Sequence, residues 1–218
     1  MKFGMSNNES DKCFLCDREE ELLIHETQNL RVISGYGPIS ELYAVIATKR
    51  HIRSFADYLH IYGSGFLSEF NKLRSVLASQ GISITLTEHG RIPVCVDDTS
   101  SDRHEAHCYH SHALVFFLKQ NIFDALDPVF HEKSVFQDLE SALLHALSLE
   151  KYLLASNRQA EYAVYSNPLI DTRQIARTAV CKLLNNDSDA DWRACRNMDA
   201  VRSNKAKFQK LLGVSNGD

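Results

Sequence analysis

The sequence predicts an α+β fold, a sheet with packed helices followed by a helical C-terminal extension. Three observations lead there. Short runs rich in β-branched and aromatic residues recur at strand length. Two longer stretches, 65–79 and 135–155, carry apolar residues at three- and four-residue spacing. The last fifty or so residues change to a basic, helical pattern with polar breaks.

In chain order, 1–12 is polar and reads as a mobile tail. Residues 21–25 and 30–34 read as two strands joined by a turn at Gln28-Asn29, and Gly35-Tyr36-Gly37-Pro38 is a loop. Residues 42–48 form an apolar run short enough for a buried strand, which leads into a basic loop holding His51. From Ser54 the pattern turns helical. Phe66, Leu67, Phe70, Leu73, Val76 and Leu77 mark an amphipathic helix over 65–79, capped by Gly81. Residues 82–87 alternate as a strand and end at Glu88-His89-Gly90.

Residues 91–105 are a polar loop between strands, with Asp97, Asp98 and Asp102 read as a flexible acidic segment. The strand 107–117 follows, then an irregular stretch over 121–134. A helix is expected over 135–155 from Phe136, Leu139, Leu143, Leu144 and Leu147, and a strand over 161–165. A helix starts after Asp171 or Thr172 as N-cap. A basic helical tail opens at Asp191-Trp192-Arg193 and ends near Leu212, with Trp192 expected in the core. The expected organisation is a tail at 1–12, an α+β unit over 13–165 and its helical extension over 166–218.

Bulk properties narrow the function. The chain has 218 residues, 44% hydrophobic and 24% charged, with net charge −4. That is ordinary globular composition. It gives no basic surface of the kind that neutralises many phosphates, so nucleic acid is not an expected partner. No apolar run approaches the roughly 18 residues a membrane span needs, and the N-terminus lacks the apolar core of a secretory signal. With six cysteines and no such signal, the expectation is a cytoplasmic protein with reduced thiols.

Cys13-Phe14-Leu15-Cys16 has the spacing of a metal knuckle, in which a tight turn presents two thiolates to one ion. A redox pair would open a helix after a strand, whereas this one precedes the first strand. Further ligands are His51, at a strand end, and His110, with Cys108 or His107 as alternatives. Four protein ligands make a closed site, which points to structural zinc.

The chemistry concentrates at His107-Cys108-Tyr109-His110-Ser111-His112. Period two puts Cys108, His110, His112, Leu114 and Phe116 on one face of the strand. His112 is then free for chemistry, because a neutral imidazole is a good nucleophile near neutral pH. Donors for transition-state charge are Ser111, Arg103, His104 and backbone N–H groups. Arg173, Gln174 and Arg177 are candidates to reach substrate phosphates, against the alternative of a solvated helix face.

The order of these motifs carries a resemblance. Cys13-x-x-Cys16, then a strand into Lys49-Arg50-His51-Ile52-x-Ser54-Phe55, then Thr87-Glu88-His89-Gly90, then His110-Ser111-His112 on a strand, is similar to the histidine triad (HIT) superfamily. The likeness is to its larger bacterial members and to galactose-1-phosphate uridylyltransferase. It covers about 13–117 and continues through Arg173-Gln174-x-x-Arg177 and Asp191-Trp192-Arg193. It implies a HIT-like antiparallel sheet and a nucleotide hydrolase or nucleotidyltransferase acting through a nucleotidyl-histidine. It also implies zinc on Cys13, Cys16, His51 and His110, with His112 as nucleophile. Small relatives are commonly dimers, so a homodimer is a possible assembly.

The chain departs from that pattern. The superfamily has His-x-His-x-His or His-x-His-x-Gln, and here the third position is Leu114, with no proline after the strand. A second alignment would use Cys108 as metal ligand, His110 as nucleophile and His112 as the third member. Two further functions stay open: a nucleotide- or partner-binding protein that keeps fold and zinc without the full triad, and a hydrolase with an open zinc site.

Overall fold

The computed structural model describes residues 13–91, 110–169, 174–186, 190–192 and 194–214. Among these, eight strands form one sheet in which every pairing is antiparallel. The strands are β1 (Leu23–Glu26), β2 (Leu30–Ile33), β3 (Tyr43–Thr48), β4 (Thr85–Gly90), β5 (His112–Phe116), β6 (Phe130–Phe136), β7 (Tyr152–Ser156) and β8 (Tyr162–Pro168). Their spatial order is β1-β2-β3-β5-β4-β7-β8-β6, so the strand bearing His112 lies between β3 and β4. The tail at 1–12 and the loop residues 92–105 fall outside the described residues.

The helices are α1 (Phe55–Tyr62), α2 (Gly65–Ser79), α3 (Phe123–Leu126), α4 (Leu139–Ala146), α5 (Ile175–Leu183) and α6 (Met198–Leu212). Helix α1 starts where Ser54 Oγ accepts from the Asp57 N–H at 3.0 Å, an N-cap that satisfies an otherwise unpaired donor. Helix α2 matches the expected span. It buries Phe66, Leu67, Phe70, Leu73 and Leu77 on one stripe and is followed by Gly81 in the left-handed region.

Both faces of the sheet are covered. Ile46, Leu86, Val115 and Leu154 on one face pack against α1, α2 and α4, with Phe208 of α6 joining them. On the opposite face, Phe116, Leu153 and Tyr165 pack under α3 and α5. At the far end of that face, Ile33, Val45 and Ala47 pack under the Cys13 knuckle and Val201 of α6. His112, Leu114, Thr87 and His89 lie on this face, in the seam between its two apolar clusters.

Five expectations are corrected. The stretch 121–134 is ordered as α3, a short turn of 3-10 helix and most of β6. Strand β6 is an edge strand whose His131, Glu132 and Lys133 are exposed, and charge on an edge strand conceals its period. The helix expected over 135–155 is only α4, begun by Asp138, whose side chain accepts from the Ser141 N–H. Val135 and Phe136 instead end β6, and the last residues of the stretch belong to β7, all five residues of which are buried; a strand covered on both faces shows no alternation. Helix α5 begins at Ile175 after Gln174, while Asp171 and Thr172 lie outside the described residues. Helix α6 starts at Met198 rather than at 191, with Asn197 Oδ1 accepting from Ala200 N–H. Trp192 is half-buried and stacks on Tyr36, with ring centroids 6.1 Å apart.

Candidate functional site

The knuckle is a tight turn closed by the Cys16 N–H donating to the Cys13 carbonyl at 3.0 Å. Arg31, on β2, supports it: its Nη1 donates to the carbonyls of Leu15 at 2.9 Å and Asp17 at 3.0 Å. Its Nε donates to Glu26 at 2.8 Å, so the guanidinium has one fixed orientation. The loop after β3 is stitched to the entry of β5. Ser111 N–H donates to the Ile52 carbonyl at 2.5 Å, and Thr48 N–H donates to the Ser111 carbonyl at 3.1 Å. These bonds bring His51 and His110 together, with ring centroids 5.1 Å apart.

Cys13, Cys16, His51 and His110 converge as the sequence led us to expect. Their four ligand atoms all lie within 4.8 Å of one another and could hold a metal ion. The His110 Nδ1 is 3.4 Å from Cys13 Sγ and 3.5 Å from Cys16 Sγ, and the His51 Nδ1 is 3.1 Å from Cys16 Sγ. On its other side the His110 Nε2 meets the Thr48 carbonyl at 2.6 Å. A carbonyl only accepts, so Nε2 carries the hydrogen and the Nδ1 lone pair faces the thiols. Burial lowers the His110 pKa, which favours the neutral ring. Of the alternative ligands, Cys108 and His107 lie outside the described residues.

His112 opens β5. Its Nδ1 is 2.7 Å from the carbonyl of His110. The same reasoning puts the hydrogen on Nδ1 and leaves the Nε2 lone pair bare. Burial lowers the His112 pKa below that of a free imidazole, so the ring is neutral near pH 7. One residue thus orients the other: the backbone of His110 fixes the tautomer of His112, while its side chain joins the metal cluster.

The remaining candidates divide. Arg103, His104 and Arg173 lie outside the described residues. Ser111 is 1% exposed and its Oγ has no hydrogen-bond partner. Its backbone N–H is used by Ile52, so that group is not an oxyanion donor. Arg177 is corrected from phosphate contact to a structural role. It is 2% exposed and donates to the Tyr43 hydroxyl at 3.0 Å, the Gly37 carbonyl at 2.8 Å and the Ala190 carbonyl at 2.8 Å. Tyr43 pairs with Phe116 whereas Ala47 pairs with His112, so the Tyr43 position that Arg177 packs against lies four residues, about 13 Å, along β3 from the one opposite His112. Gln174 is turned to Asp191 Oδ1 at 2.9 Å.

Two features of the surroundings were not anticipated. Glu88 is 1% exposed and accepts from the Phe55 N–H at 2.5 Å and the Tyr152 hydroxyl at 2.8 Å. It anchors the end of β4 beneath the first turn of α1. Gly90 permits this, since a Cβ there would lie 2.0 Å from the Tyr152 ring. His89 lies beside His112, and its Nε2 is buried without a partner. The Thr87-Glu88-His89-Gly90 string was the available signal for both, yet only the pairing of β4 with β5 and β7 shows what each residue meets. Among the described residues no helix is long and apolar enough to cross a membrane. The chain matches no protein-family model and no curated protein.

Proposed function

We propose that this chain is a nucleotide hydrolase or nucleotidyltransferase of histidine triad type, with His112 as nucleophile and a structural zinc ion on Cys13, Cys16, His51 and His110. The observation that carries the reading is the 2.7 Å contact from His112 Nδ1 to the His110 carbonyl. It holds a neutral imidazole with its Nε2 lone pair bare, which is what attack on an electrophilic phosphorus requires.

The donor set suits zinc. Two thiolates and two imidazoles are a common closed zinc shell, and tetrahedral coordination separates sulfur from nitrogen by about 3.6 Å. The sulfur–nitrogen distances given above, 3.1 to 3.5 Å, are close to that edge. Cys13, Cys16, His51 and His110 would hold the ion, and with all four positions filled by protein it would tie the N-terminal knuckle and the loop after β3 to the entry of β5, reinforcing the His110 backbone that orients His112.

In the reaction, the His112 Nε2 electron pair forms a bond to the α-phosphorus as the bond to the leaving group breaks. The leaving group departs with that bond's electrons and is protonated by solvent. Water or the hydroxyl of a second acceptor then attacks the phosphorus and gives up its proton to solvent, the N–P bond breaks, and its electrons return to Nε2. Substrates of this class are nucleoside phosphate esters, anhydrides and phosphoramidates.

A second reading is favoured by Leu114, which is half-buried and packs against both apolar clusters on its face of the sheet. In that reading the protein binds a nucleotide or a partner without turning it over. Chromatographic turnover assays on nucleotide sugars, dinucleoside polyphosphates and nucleoside phosphoramidates separate the two. Release of a nucleoside monophosphate that His112→Asn abolishes, with metal and fold retained, establishes the enzyme. Absence of turnover across the panel, with nucleoside monophosphate still bound, establishes the binding protein.

A further inference from the structure

Buried polar groups in folded chains almost always have a hydrogen-bond partner. Among the described residues, Thr85 Oγ1, Thr87 Oγ1, His89 Nε2 and Ser111 Oγ are buried without one. Three of these residues stand at alternate positions on β4 and therefore share a face. The sheet sets that face against the nucleophile strand. Thr85 pairs with Phe116 and Thr87 with Leu114, and the next antiparallel step puts His89 opposite His112. Across the other flank of β5, Leu114 and His112 are paired with Val45 and Ala47, which offer only methyl groups. The polarity that Leu114 lacks is thus present one strand away. Burial, with the neighbouring His112 ring, holds the His89 pKa down to about 4, so this imidazole is uncharged and can donate through one ring nitrogen.

We infer that Thr87 and His89 supply from β4 the phosphate contacts that Leu114 cannot make from β5. Thr87 Oγ–H and His89 Nε2–H donate to the non-bridging oxygens of the α-phosphate bound at His112. The inference rests on the reading of His112 as a nucleophile toward a nucleoside α-phosphate. It assigns hydrogen bonds only, and no proton is transferred. Negative charge on those oxygens is reorganised as phosphorus passes to five-coordination. Buried donors held by the sheet beside the phosphate stabilise that charge at little cost in reorganisation. Unpartnered in the free protein, the two groups lose no existing bond when the phosphate arrives.

The test is a single-turnover assay with a phosphorus-labelled nucleoside 5′-phosphoramidate, reading formation of the acid-labile nucleotidyl-protein. It is repeated with the analogue in which sulfur replaces a non-bridging oxygen. Thr87→Val and His89→Phe are each expected to slow formation by about 100-fold, the usual effect of losing one such donor, while Thr87→Ser stays near wild type. The oxygen-to-sulfur rate ratio should fall toward one in Thr87→Val. Leu114→Gln added to His89→Phe should recover at least part of the rate. Metal content and thermal melts confirm that each variant is folded. If Thr87→Val and His89→Phe react at the wild-type rate while His112→Asn is inert, the inference is overturned and the nucleophile reading stands. If the rates drop but the oxygen-to-sulfur ratio does not move and Leu114→Gln recovers nothing, the role is structural and the inference also fails. If the wild type forms no adduct with phosphoramidate, nucleotide sugar or dinucleoside polyphosphate, both readings fall together.

Discussion

The Arg31 guanidinium reaches under the metal knuckle to the carbonyl of Leu15, 2.9 Å from its Nη1. A second bond from the same nitrogen, to the Asp17 carbonyl at 3.0 Å, spans the Cys16 position. The turn that presents the two sulfurs is thereby held before any ion arrives. Residues that orient metal ligands typically contribute 10- to 100-fold in affinity. On the zinc reading proposed above, Arg31→Met should therefore weaken binding of added zinc by about 10-fold or more, measured by competition with a chromophoric chelator. Arg31→Lys, which lacks the fork, should recover only part of the loss. Unchanged affinity in Arg31→Met would assign Arg31 to packing alone.

On the zinc reading proposed above, removal of the ion should cost stability, because the four ligands come from three segments of the chain and one ion would cross-link them in addition to their hydrogen bonds. A ligand bound far above its dissociation constant stabilises the native state by several kcal/mol, about 4 kcal/mol at a thousandfold excess. For a chain of this size that corresponds to roughly 10 °C in Tm. Chelator treatment or Cys16→Ser should lower the melting temperature by that order. His112→Asn should leave both metal content and melt near wild type, since His112 is outside the donor set. A melt insensitive to chelator would remove the structural role from the ion.

Legibility in the sequence followed the range of the interactions. Helix α2 was readable to the residue because five apolar side chains repeat on one stripe and Gly81 ends it. The ligands were readable because Cys13-x-x-Cys16 and the His110–His112 spacing are local patterns. Strand β7 was not, since Tyr152 to Ser156 is buried on both faces and continues the apolar spacing of α4. Arg31 and His89 illustrate the harder limit. Arg31 looks like the outward residue of an alternating strand, yet its partner is a backbone 16 positions away. His89 looks like a strand end, and only the pairing of β4 with β5 brings it to His112. Arg177 is the reverse case. Its helix position suggested a solvent- or phosphate-facing cation, and its partners at Tyr43, 134 positions away, and Gly37 are invisible locally.

Gly90 should not tolerate a side chain. A Cβ there would stand 2.0 Å from the Tyr152 ring, and Tyr152 is fixed by Glu88 and buried. Overpacking against a ring that cannot yield costs about 1–3 kcal/mol or more. Gly90→Ala should lower the urea midpoint by at least that equivalent. Gly90→Ala combined with Tyr152→Ala should recover part of the loss due to the clash, because the obstructing ring is gone. Additive losses in the double variant would mean that the two residues do not conflict.

Glu88 makes stability depend on pH in a direction that can be worked out. Its carboxyl is desolvated, which pushes its pKa up to about 8 from an ordinary 4.5; the Phe55 N–H and Tyr152 hydroxyl oppose the shift without cancelling it. In the unfolded chain the group ionises near its ordinary value, while in the native protein it stays protonated until about pH 8. The unfolded state thus binds fewer protons across that window, so the stability contributed by Glu88 is complete below the unfolded pKa. It declines as pH rises, by up to about 1.4 kcal/mol per unit, and is lost once the native group ionises. Glu88→Gln keeps an acceptor for the Tyr152 hydroxyl and has no proton to lose. The difference in urea stability between Glu88→Gln and wild type should therefore move in favour of the variant from pH 6 to pH 8. Comparing the two proteins at each pH cancels the titration of the metal ligands, which both share. A difference that stays flat over this interval would mean that Glu88 is ionised in the native protein and held by its two donors instead.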